Sequence, residues 1–202
     1  MTRMIVQSRA DRLLKKDYLI ISQLIVDAWR DYQQYPFTIQ TAHTPRTRAS
    51  AVHDHMVLRA REAFASMPHA KCIDHSGLFI VLLYDRIALR FKKLDDEFRS
   101  SNIPTQQSLD FVRQESELPG IKTMMNLQAG YRLNRLQTDL EGVYVACPRG
   151  AENLWIKELP IVKMASSASV ISFPPSIKPT PATTFSIKDQ PKSDKLADSE
   201  GG

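Results

Sequence analysis

The sequence predicts an α+β fold: N-terminal helices packed on one antiparallel sheet of about five strands, followed by a disordered C-terminal tail. Three observations carry the prediction. Apolar residues recur at helical spacing before Pro68. A strongly β-prone run, Leu78 to Tyr84, then leads into alternating apolar and basic positions. From Asn126 onward the hydrophobic period is two. At 202 residues the chain is the size of one domain, placed here at 1–160, with a tail over 161–202.

The first element is a helix, 1–34 at its widest. Leu14, Ile21, Leu24, Ile25, Ala28 and Trp29 fall at spacings of three, four and seven, with Lys15, Lys16, Asp27 and Asp31 between them. Tyr35-Pro36 ends it, because the residue before a proline avoids the α region. A connector follows. A second helix starts near Thr47 or Ser50 and runs to Ser66, burying Val52, Met56, Ala60 and Phe64 before Pro68 closes it. Arg46 and Arg48 sit at the start of that helix. Its end already carries partial positive charge, so two arginines there are unfavourable unless an anion is present.

Leu78 to Tyr84 is read as a buried strand, Asp85-Arg86 as a turn and Ile87 to Leu94 as the returning strand. Ile87, Leu89 and Phe91 then share one face, and Ala88, Arg90 and Lys92 the other. A helical alternative stays open, since Ile80, Tyr84, Ile87, Phe91, Leu94 and Phe98 also form a helical stripe. The turn moreover lacks the glycine a tight hairpin prefers. A charged loop over Asp95–Asn102 leads to a third helix, with Thr105 as N-cap and Pro119-Gly120 as stop. Leu127, Ala129, Tyr131 and Leu133 alternate with Gln128, Gly130, Arg132 and Asn134, the pattern of a half-buried strand. Val143–Cys147 and Leu154–Leu159 complete the sheet. The remainder is rich in Ser, Thr, Pro and Lys and holds little apolar surface to bury.

The net charge of +5 favours anionic partners, although only slightly. No apolar run approaches the roughly eighteen residues of a spanning helix, and the charged N-terminus does not read as a signal peptide. Two cysteines make no disulfide framework and suit a reducing interior, so a cytoplasmic protein is expected.

Several constellations bear on chemistry. His69, Cys72 and His75, with Asp74 between, are candidate metal ligands, but a structural site needs a second pair from His53, His55 or Cys147. A polar loop explains the same residues. Cys147, close to Arg149, and Cys72 are candidate nucleophiles, against the plainer role of small buried hydrophobes. Glu62, Asp74, Asp85 and Lys92 are the only set resembling a metal-dependent nuclease, and Arg90 occupies the position where that design wants an acid. No Walker loop, dinucleotide fingerprint or nucleophile elbow is present, so no cofactor is expected. The best anion-binding candidates are Arg46, Arg48, Arg86, Arg90, Lys92 and Lys93, with a solvated, charge-protected edge strand as the competing explanation.

A further signal comes from PRTRASAVHDHMV at 45–57, LRFKKLD at 89–95, NIPTQQ at 102–107, LPGI at 118–121, GYRLN at 130–134 and VACPRGAENLWIKEL at 145–159. Together these segments resemble a group of small, mostly uncharacterised bacterial toxin-like proteins encoded beside helix-turn-helix or zinc-peptidase-like antitoxins. The resemblance covers Thr44 to Leu159 and contains no catalytic signature. It implies the toxin-like member of a toxin–antitoxin or phage-defence pair, neutralised by a cognate antitoxin-like protein. Nucleic-acid binding through the basic strand face and metal-dependent nuclease activity are the alternatives.

Overall fold

The computed structural model describes residues 6–75, 77–100, 105–115 and 125–161. Within them the protein is α+β, with helices stacked on a sheet. The expected tail lies, from residue 162 on, outside the described residues, while Ile161 still packs against the core.

The N-terminal helix is two helices, α1 (Gln7–Leu14) and α2 (Tyr18–Gln33). The break at 15–17 has a tertiary cause. It turns Asp17 inward, where its buried carboxylate accepts from the Tyr84 hydroxyl at 2.9 Å and pairs with His69 Nε2 at 2.9 Å. The connector holds a short α3 (Phe37–Ala42), and α4 (Pro45–Phe64) begins with Thr44 capping the Thr47 N–H. Val52, Met56, Ala60 and Phe64 are buried along α4, as its spacing predicts.

The sheet has six strands rather than about five. They are β1 (Ala70–His75), β2 (Leu78–Leu83), β3 (Ile87–Lys93), β4 (Met125–Leu133), β5 (Leu140–Arg149) and β6 (Glu152–Leu159), lying side by side in chain order. β1 is the strand missing from the sequence reading, which took Cys72–Ser76 as a lead-in. The sheet is also mixed rather than antiparallel, because β3 and β4 run parallel. Residues 94–124 give far more than the dozen or so needed for a parallel crossover, and they carry α5 (Gln106–Val112). Thr105 caps α5 in a reciprocal pair with Ser108. The helix ends at Val112, before the expected stop, and Pro119-Gly120 lies outside the described residues.

The β2–β3 segment is a hairpin, not a helix. Its turn manages without glycine because Tyr84 and Asp85 both take positive φ, 56° and 48°. That geometry is costly for side-chain-bearing residues. It is held by the Tyr84–Asp17 hydrogen bond and by the Tyr84 ring stacked on His69, centroids 4.5 Å apart.

The central strands β2 to β5 are buried on both faces over most of their length, while β1 and β6 are partly exposed. Phe79, Val81, Leu89, Phe91, Leu127 and Val145 pack under α1, α2 and α4 in the main core. On the other face Ile80, Leu82 and Ala88 form a small cluster with Phe111 of α5. β4 is therefore buried on both sides over most of its length, not half-buried as alternation suggests. Among the described residues no helix is long and apolar enough to cross a membrane.

Candidate anion site on the α5 face

Side-chain alternation places Ala88, Arg90 and Lys92 of β3 on the face covered by α5. The parallel register sets Asn126 beside Ala88, Gln128 beside Arg90 and Gly130 beside Lys92. Gly130 is required there. A Cβ at that position would lie 2.1 Å from the Lys92 carbonyl oxygen, so any side chain would force the two strands apart.

α5 is fixed over this row by its C-terminal end. Gln114 Nε2 donates to the Asn126 and Pro148 carbonyls at 2.8 and 2.7 Å, and its Oε1 accepts from the Asn126 N–H at 2.9 Å. Asn126 Nδ2 returns a bond to the Phe111 carbonyl at 3.1 Å. Phe111 is thereby held against the sheet, with the Arg90 guanidinium 5.0 Å from its ring centroid.

Arg90 is 4% exposed and Gln128 1%, yet Arg90 Nη1 and Gln128 Nε2 have no hydrogen-bond partner, nor does Asn126 Oδ1. Neither Arg90 nor Lys92 forms an ion pair among the described residues. Burial alone pulls the Arg90 guanidinium down to about 10, so it keeps its charge at neutral pH. Burial, and then the neighbouring Arg90, pulls Lys92 down to about 8. A buried cation without a counter-charge is expensive, because the desolvation cost is not returned by any Coulombic partner. Arg132, further along the same face, behaves otherwise. It pairs with Asp96 and Glu141, each at 3.1 Å, and lies over the Phe98 ring.

The six cations singled out by sequence do not form one patch. Arg90 and Lys92 share the α5 face. Lys93 points to the helix face, where it and Arg48 both bond to Gln137. Arg46 is exposed in the first turn of α4. Arg86 is exposed in the β2–β3 turn, six residues or roughly 20 Å along the strand from Lys92. β2 pairs with β3 only as far as Leu89, so from Arg90 to Lys93 the strand is paired with β4 alone and its other side is an edge, although Arg90 itself is buried there.

The metal candidates are separated. His69 is committed to Asp17, Cys72 Sγ faces the Ala60 carbonyl, and His75 is exposed at the end of β1. Among the described residues no three His, Cys, Asp or Glu side chains form a group that could hold a metal ion. The nuclease set is dispersed as well. Glu62 pairs with Arg59, Asp74 with Arg61 and Asp85 with Lys71, while Lys92 forms no ion pair with any of them. Burial pushes the Cys147 thiol up to about 12, and burial also raises Cys72, so neither is an activated nucleophile.

Asn126, Gln128 and Phe111 were not singled out by sequence reasoning. The one available signal was the polar half of the β4 alternation, which reads as solvent-facing until a helix is known to cover it. Compared with family models, with curated proteins and with solved structures, the chain matches none.

Proposed function

We propose that the protein binds a phosphate of a nucleic acid or nucleotide on the α5 face of β3 and β4, without cleaving it. Arg90 supplies a recessed guanidinium, Lys92 a point charge nearer solvent, and Gln128 Nε2 a neutral donor. The single observation behind this reading is the buried, unpaired Arg90 Nη1. A phosphate oxygen there would turn an uncompensated charge into a charge-assisted hydrogen bond, roughly twice as strong as a neutral one. Recessed donors suit a single terminal phosphate better than a backbone laid across the surface. With two cations engaged, the salt slope on single strands should be shallow, about −1.4 in log K against log salt. Fluorescence anisotropy with 5′-phosphorylated and unphosphorylated oligonucleotides tests this. Preference for the phosphorylated strand is expected, with Arg90→Met weakening it at least about tenfold. No binding at low salt, or affinity indifferent to Arg90→Met and Lys92→Gln, removes the proposal.

A second reading is the toxin-like role that the sequence resemblance implies, acting in the cytoplasm and neutralised by a cognate antitoxin-like protein. It is favoured by one coincidence. Two of the segments that carry the resemblance, 89–95 and 130–134, contribute Arg90, Lys92 and Gly130 to the α5-face row. Induced expression should then slow growth, the product of a neighbouring gene should restore it, and Arg90→Met should blunt the effect. Unimpaired growth on induction would sink it.

A further inference from the structure

We infer that a second oxyanion site lies on the opposite face of the same strand end, where Arg48 of α4, Lys93 of β3 and Tyr131 of β4 converge. Its ligand class is a single phosphate or sulfate-like group. The inference does not depend on the Arg90 site, because it rests on different residues on the other side of the sheet.

Three observations support it. First, Arg48 Nη2 and Lys93 Nζ both reach the same amide oxygen, Gln137 Oε1, at 3.4 and 3.3 Å. Arg48 Nη1 also donates to the Gln137 backbone carbonyl at 2.8 Å. Two cations are thus gathered around a neutral oxygen, and neither forms an ion pair with a carboxylate among the described residues. Gln137 itself sits at a positive φ of 56°, so the loop is bent to bring that amide inward. The amide oxygen occupies the place an oxyanion would take between the two charges.

Second, two buried donors on these same residues and strands are unused. Tyr131 is the cross-strand register partner of Lys93 and is fully buried, yet its hydroxyl has no hydrogen-bond partner. Arg48 Nε is likewise buried and unpaired. Burial raises the pKa of Tyr131 and of Tyr32, Arg48 lies close enough to both to oppose that rise, and burial together with Arg48 depresses the pKa of Lys93. An oxyanion would accept from Arg48 Nε, the Tyr131 hydroxyl and Lys93 Nζ at once, satisfying donors that the fold leaves open.

Third, the site adjoins the first turn of α4, whose dipole adds positive potential where Arg48 already stands. An arginine near a helix N-terminus is unfavourable alone, and Arg48 becomes favourable there with an anion bound between helix and sheet.

The arginine Nε–Hε region of a proton–nitrogen NMR spectrum tests this, using inorganic phosphate as the probe. Arg48→Lys and Arg90→Lys assign the two resonances, so each site reports separately. The expected result is a saturable shift of the Arg48 resonance. In Tyr131→Phe, which keeps the ring, half-saturation should need roughly fivefold more phosphate, the worth of one neutral hydrogen bond. An Arg48 resonance that does not respond to phosphate overturns the inference, even if that of Arg90 moves. So does a response that Tyr131→Phe leaves unchanged, as expected if a buried water satisfies the hydroxyl.

Discussion

The two faces of the sheet differ in how much apolar packing surrounds their buried polar groups. Under α1, α2 and α4 the face is almost wholly apolar, with Leu89, Phe91 and Val145 sealed from solvent. Its buried carboxylate, Asp17, is answered by both His69 and Tyr84. Under α5, one short helix covers a cluster of four buried apolar residues, and beside them lie Arg90, Asn126 and Gln128 with polar atoms unanswered. The helix face holds most of the apolar packing and leaves donors open beside it at Arg48 and Tyr131. On the α5 face the open polar atoms outweigh a far smaller apolar cluster, so a larger share of that face is kept for donors.

Neighbouring residues on β3 measure that difference most directly. Phe91→Ala removes a fully buried ring from the helix face and should cost about 3–5 kcal/mol in a urea or guanidinium titration. A loss under about 1 kcal/mol would mean that this face is not the main core.

The next largest effect is a pH dependence carried by Lys92 on the α5 face. Lys92 has an ordinary value of 10.5 and is pulled to about 8. Between those values the unfolded chain binds a proton that the folded chain has released, so the Lys92 contribution to stability should rise with pH across that window. An opposite fall above pH 9 comes from the Cys147 thiol, which burial raises from 9.0 to about 12. Taken as wild type minus Lys92→Met, which cancels the cysteine and Lys93 titrations, the rise should be about 2 kcal/mol, allowing for partial exposure. Bound phosphate would favour the protonated amine, so phosphate affinity should fall as pH climbs past about 8. A wild-type minus Lys92→Met difference that stays flat between pH 8 and 10 would show that Lys92 is better solvated than its surroundings indicate.

The smallest effect sharpens the comparison by its sign. Arg90→Met replaces a buried, uncompensated charge with a side chain of similar length and should raise stability by about 1 kcal/mol. The gain is limited by loss of the cation–π contact with Phe111. A destabilisation of several kcal/mol would instead mark Arg90 as a structural cation.

Some of this was legible in the sequence and some was not, for identifiable reasons. The stripe along α4, the Thr105 cap and the opposed parities of Phe91 and Arg90 follow from spacings of a few residues, which local geometry enforces. The glycine-free turn at Tyr84-Asp85 left hairpin and helix open because its support comes from Asp17 and His69, far away in the chain. The parallel pairing of β3 and β4 was misread as antiparallel, since a period of two is identical for both orientations. The break after α1 went unseen for the same reason as the turn: Asp17 reads as a surface charge until its partners are known.

What the sequence determined by itself was therefore the content of each face: which side chains of β3 and β4 point together, and that one of the two sets is basic and polar. Only the tertiary structure decided what covers that set. Alternation is a property of the backbone, but burial depends on whether another element arrives. α5, pinned through Gln114 and Asn126, is what turns Arg90 from a surface charge into a buried cation without a partner.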